Sequence, residues 1–123
     1  MLDKIEIFAT LKDLLSQYAP PCVVTDHTDS VYHLYGTKPA SVGKSSYNGI
    51  YFASAVIRKS YVALHFFPIY THADQFENIG EELRQCLKGK SCFHIKRIND
   101  PLFDQIKKAL DKGIEVYQKE GWL

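Results

Sequence analysis

The chain has 123 residues, which is the length of one ordinary domain and enough to bury a core without disulfide or metal staples. Hydrophobic residues make up 46% and charged residues 24%, a globular rather than a disordered balance. Fifteen basic against fourteen acidic residues lack the basic surplus of a nucleic-acid binder, and no apolar run approaches the ~20 residues that a membrane span needs. Three cysteines, Cys22, Cys86 and Cys92, form no CxxC pair, so neither a zinc ribbon nor a redox couple is expected. The opening Met1–Glu6 segment is amphipathic and acidic, unlike a signal sequence, and the expectation is a cytoplasmic protein with reduced thiols.

In chain order, Leu2, Ile5, Phe8, Ala9, Leu11, Leu15 and Tyr18 recur at helical spacing behind Asp3 as N-cap, and Ala19-Pro20-Pro21 stops the helix. Cys22 to Thr25 and Val31 to Gly36 read as short strands around the turn-rich Asp26-His27-Thr28-Asp29-Ser30. Thr37 to Asn48 shows no periodicity and reads as a loop. Ile50 to Tyr70 is the longest apolar run and reads as a central hairpin, with Arg58-Lys59 at its turn and Ala55 opposite Val62. That register puts Ala53, Ala55, Ile57, Val62, Leu64 and Phe66 on a core face. Phe52, Ser54, Val56, Tyr61, Ala63, His65 and Phe67 fall on the other face.

A turn near Asp74–Phe76 and a helix from Glu81 to Leu87 follow, with Gly89 as its C-cap. Ser91 to Lys96 alternates as a strand, and Asp100 as cap with Pro101 at the first helical position starts a last helix striped by Leu102, Phe103, Ile106, Leu110, Ile114 and Tyr117. The expected fold is α+β: a mainly antiparallel sheet of about five strands with helices largely on one face, in the order α-β-β-β-β-α-β-α. All of residues 1–123 fall in one domain.

No motif announces a reaction. Gly43-Lys44-Ser45 and Gly89-Lys90-Ser91 lack both the upstream glycine of a P-loop and the strand-before, helix-after setting, and are rejected as phosphate loops. None of the five histidines has HExxH spacing, but His33, His65, Cys92 and His94 fall on one side of neighbouring strands, a donor set that suits a borderline metal. The plainer reading is of separate outward strand residues. Asp3, Glu6 and Asp13, like Asp111, Glu115 and Glu120, read as solvated helix faces. Ser54, Ser91 or Cys92 beside His65 or His94 would make a nucleophile and base, though no signature selects a pair.

Tyr32, Tyr35, Tyr47, Tyr51, Phe52, Tyr61, Phe67 and Tyr70 are too many rings to bury in one small core. Small residues rimmed by rings, Ser54 and Ala63 among Phe52, Tyr61 and Phe67, predict an apolar pocket or a face for a protein partner or second copy.

Three segments carry a family resemblance. Tyr51-Phe52-Ala53-Ser54-Ala55 through Tyr61–Pro68, Gly89-Lys90-Ser91-Cys92-Phe93-His94-Ile95, and Asp100-Pro101-Leu102-Phe103 with Ile106 resemble, in order, parts of the YdhG-like family of small bacterial proteins. Where many members carry Gly-Met-Pro, this chain has Val31–Gly36. The resemblance implies a secretion-chaperone-like α+β fold and, because part of the group is described as frataxin-like iron chaperones, iron delivery as an alternative function. The leading expectation is a non-catalytic binding domain that acts through the outer hairpin face. A small-molecule enzyme using a His/Cys or His/Ser pair stands third.

Overall fold

A computed structural model describes residues 3–123. Helix α1 (Lys4–Ser16) starts as expected: Asp3 is extended and its carboxylate accepts the Glu6 amide at 2.9 Å. Its inward stripe is Ile7, Phe8, Leu11, Leu14 and Leu15. Ile5, expected on that stripe, is 71% exposed, and Ala9 is also exposed; Leu2 lies outside the described residues. Two apolar ridges compete in this segment, and the bulkier one through Ile7, Leu11, Leu14 and Leu15 takes the core.

Strands β1 (Val23–His27), β2 (Val31–Tyr35), β5 (Tyr51–Ile57), β6 (Val62–Phe66), β7 (Leu87–Lys88) and β8 (Cys92–Ile95) form one sheet. Its spatial order is β1-β2-β5-β6-β8-β7, with every neighbouring pair antiparallel. The α+β class is therefore as read, with one strand more than expected in the sheet. That strand arises because helix α3 (Glu81–Cys86) gives way to an extended Leu87, and Gly89 at φ +80° turns β7 into β8 instead of capping the helix. The segment expected as a loop also pairs: β3 (Ala40–Val42) and β4 (Ser45–Tyr47) form a hairpin across Gly43-Lys44, with Gly43 at φ +58°. Both Gly-Lys-Ser sequences thus belong to hairpin turns.

The central hairpin corrects two expectations. Ile57 pairs with Val62 and Ala55 with Leu64, so the turn centres on Lys59-Ser60 and each partner lies two residues from its expected place. An even slip leaves the faces unchanged, because side chains alternate with period two. The second correction is at Phe52. Leu34 pairs with Ala53 while Tyr35 pairs with Tyr51, so β5 carries an extra residue against β2. This β-bulge turns Phe52 inward beside Ala53 and leaves Tyr51 outward. Phe52 is fully buried against Phe66, Tyr117 and Tyr18, and it is removed from the outer face.

Pro68 opens the short helix α2 (Pro68–Thr71), and a 3-10 turn (Ala73–Phe76) sends Phe76 edge-on to Phe66 at 5.2 Å. Helix α4 (Asp100–Lys119) starts one residue earlier than read, since Asn99 is the cap and its side chain accepts the Leu102 amide at 2.9 Å. Asn99→Ala should therefore cost about 1 kcal/mol in urea unfolding, whereas Asp100→Ala, at the first helical position, should cost only a few tenths. Helix α4 buries Leu102, Ile106, Leu110, Gly113 and Tyr117, and the Tyr117 hydroxyl donates to the Tyr51 carbonyl at 2.9 Å. Gln105 ties α4 to α3 by accepting the Leu83 amide at 2.9 Å and donating to Glu82 at 2.6 Å. Side chains from α1, α2, α3, α4 and the inward side of the sheet form one core cluster. The helices lie on that side, and the opposite side of the sheet carries none of their buried residues. Among the described residues no helix is long and apolar enough to cross a membrane.

Candidate functional site

The outer face is built by strand register. Lys88, Cys92, His65, Ser54, His33 and Asp26 are successive cross-strand partners, one row spanning all six strands. A second row runs His94, Ala63, Val56 and Val31. Directly paired residues in such rows stand within contact distance. Beyond the first row lies a run of rings. Tyr35 and Tyr51 have centroids 5.1 Å apart, Tyr51 and Phe67 6.0 Å, and Phe67 and Tyr70 5.4 Å. Lys90 Nζ caps the run, 5.7 Å from the Tyr70 centroid. At the other end of the face Tyr61 stacks on His94 at 3.9 Å with an interplanar angle of 14°.

Of the residues expected on this face, Ser54, Tyr61, Ala63, His65 and Phe67 are all present, and Phe52 alone is not. The expected pocket over Ser54 and Ala63 does not open. Both are buried, at 0% and 1% exposure, beneath the larger side chains around them. The Ser54 and Tyr51 hydroxyls are hydrogen-bonded to each other, a contact made possible by the bulge that places residues three apart on one face.

The four metal candidates His33, His65, Cys92 and His94 share the face without converging. Ser54 stands between His33 and His65, which puts their Cα atoms two strand spacings, about 10 Å, apart. Among the described residues no three His, Cys, Asp or Glu side chains are placed to hold one metal ion.

His65 is the direct register partner of both Ser54 and Cys92, so the proposed pairs are adjacent. Their chemistry is quiet. No hydrogen bond joins His65 to either group among the described residues, and Ser54 is engaged by Tyr51. Burial pushes the Cys92 thiol up, offset in part by the Arg58 charge, so the reactive thiolate is scarce. Burial also lowers the His65 pKa, and the positive potential of Arg58, His33 and His94 lowers it further, which keeps the imidazole neutral at pH 7. Cys22 is 2% exposed and is pushed up by burial to about 12. Alkylation by iodoacetamide at pH 7.5, followed by mass spectrometry, should run roughly tenfold or more slower at Cys22 in the native protein than in urea, with Cys92 between these limits.

Two contributors to the face were not apparent from the spacing of residues. Tyr51 is outward only because of the bulge, and β5 contains no glycine or proline to mark one. Arg58 was read as a turn residue, but its charge acts on His65 and Cys92. Placing the turn at Lys59-Ser60 would have returned Arg58 to the strand alternation. Comparison with protein-family models, curated proteins and solved structures returns no match, so the reading of this face rests on its own chemistry.

Proposed function

We propose that this chain is a binding domain that acts through the outer face of its sheet and performs no reaction on what it holds. One observation carries the reading: Tyr35, Tyr51, Phe67 and Tyr70 form a continuous run of rings on the side of the sheet that the helices leave bare. A half-exposed aromatic row of this kind supplies apolar contact area at small entropic cost.

Size favours a small ligand over a second copy. Six strands about 4.8 Å apart and about five residues long present roughly 400–500 Å², short of the ~800 Å² per partner that a stable protein interface buries. A binding role also fits the quiet chemistry of Ser54, His65 and Cys92. Iron delivery, the function implied by the family resemblance, gains no support from the carboxylates of α4, because Asp104, Asp111 and Glu115 are each paired with lysines. The three free cysteines accord with a reducing compartment.

The test is a screen of small aromatic fragments read from amide chemical shifts. Shifts should gather at the outward residues of β2, β5, β6 and β8. Hits confined to the cleft between the 3-10 turn and α4, which is lined by Phe76, Gly80 and Gln105, would overturn the reading.

A further inference from the structure

The cations of this protein are divided unevenly. On α4, Lys107, Lys108, Lys112 and Lys119 each lie within 4 Å of a carboxylate on the same helix. Lys88, Lys96 and Arg97 form no ion pair and no side-chain hydrogen bond with any described residue. These three, with His94, line one hollow of about 470 Å³ where the sheet meets α3.

The hollow exists because β7 is only two residues long. It pairs with Cys92 and Phe93 and leaves the His94–Ile95 half of β8 uncovered on that edge. Alternation along β8 sends Cys92 and His94 outward, and Lys88, the partner of Cys92, lies on the same side. Lys96 continues this alternation beyond the strand end. Tyr61 holds the His94 ring in place by stacking on it.

Of the residues that line the hollow, one is a carboxylate. Glu82 borders the hollow, but its oxygen is taken by Gln105 Nε2 at 2.6 Å, a bond that lowers the Glu82 pKa and keeps it ionised. Asp26 stands at the far end of the row, opposite His33. It is four strand spacings, about 19 Å, from Cys92 and so beyond the ~8 Å screening length at physiological salt. Three cations against one carboxylate leave an excess of about two positive charges, with His94 able to add a further donor.

We infer that the hollow lined by Lys88, His94, Lys96 and Arg97 binds the dianionic phosphate of a small organic phosphate monoester. This rests on the reading of the outer face as a binding surface and extends it to the ligand's charged group. A dianion matches the charge excess, which a single carboxylate would leave half unmet. Arg97 offers a planar fork for two phosphate oxygens, and the lysines act as point charges. A free phosphate ion would fill only a small part of about 470 Å³, so space remains for an organic body that lies against Cys86 and Leu102, the apolar residues of the lining.

The test is an NMR titration of the full chain with phenyl phosphate, inorganic phosphate and phenol at fixed ionic strength. Phenyl phosphate should produce saturable shifts at Lys88 and at His94 through Arg97, and it should bind at least tenfold more tightly than inorganic phosphate. The double variant Lys96→Gln/Arg97→Gln should weaken that binding at least tenfold with an unchanged melting temperature, since both side chains are exposed and unpaired. Binding undiminished in the double variant, or shifts elsewhere only, would overturn the inference. Equal affinity for inorganic phosphate would overturn its ester part. Phenol shifting the ring row while no phosphate moves the hollow leaves the binding face standing and removes the phosphate site. Silence of every probe on the outer face removes both.

Discussion

Phe52→Ala should lower the unfolding free energy by about 3–5 kcal/mol, the usual cost of emptying a large aromatic site in a packed core. Phe52 is fully buried, with its ring centroid 5.8 Å from that of Phe66, 5.7 Å from that of Tyr117 and 6.4 Å from that of Tyr18. Truncation removes partners from three rings at once, and the rigid sheet beneath can relax only in part. Against a total stability of about 5–15 kcal/mol for a domain of this size, the loss is a large fraction. The companion variant is Phe67→Ala, which takes a half-buried ring off the outer face and should cost less than half as much. Urea unfolding of both decides the geometry of the bulge. Were β5 a regular strand, Phe52 would share the outer side with Ser54 and the two alanine variants would cost about the same.

Gly113→Val should have an effect of the same order. A Cβ at this position of α4 would lie 2.8 Å from Phe66 Cζ, 2.9 Å from Phe66 Cε1 and 3.0 Å from Phe52 Cε1. Those atoms belong to rings that are themselves buried, so little room exists for them to give way. Valine adds two methyl groups to that collision and should destabilise by roughly 3 kcal/mol or more. Gly113→Ala is the finer probe. Alanine gains about 1 kcal/mol of helix propensity and loses about 1–3 kcal/mol to overpacking, so a net loss of up to about 2 kcal/mol is expected. A stabilised alanine variant in thermal or urea unfolding would show that α4 stands farther from the sheet than the ring contacts indicate.

These two sites mark how far the chain could be read unaided. Periodicity was sufficient to place α4 and to bury Leu102, Ile106, Leu110 and Tyr117, while Phe103 and Ile114, read on the same stripe, are half-buried at its margin. Asp3 announced the start of α1, and Pro68 the end of β6. In each case the cause is local, a hydrogen bond or steric limit between residues no more than a few positions apart. The core face of the hairpin was also legible, because a register error of two residues preserves the alternation of Ala53, Ala55, Val62, Leu64 and Phe66.

Most of what the chain did not disclose depends on residues far apart in sequence, and the short Ala40–Tyr47 hairpin is the local exception. The Gly43-Lys44 hairpin had a turn signal, but Ser-rich flanks gave no apolar alternation to recognise. On α1, Ile5 lost to Ile7 because the bulk of the whole stripe, packed on β5 and β6, selects which ridge faces inward.

The outer face shows the division most clearly. Local alternation was enough to assign Ser54, Ala63 and His65 to one side of a hairpin. Their neighbours were decided by pairing across strands, which brings Lys88, Cys92 and His33 into the His65 row from segments up to 55 positions apart. The exchange of Phe52 for Tyr51 is likewise a property of two strands, since a bulge exists only where one ladder counts an extra residue against the other. Composition and periodicity determined that the chain makes a helix-backed antiparallel sheet. Only cross-strand register decided which rings and cations stand on its open side, because side-chain direction in a strand is local while side-chain company is not.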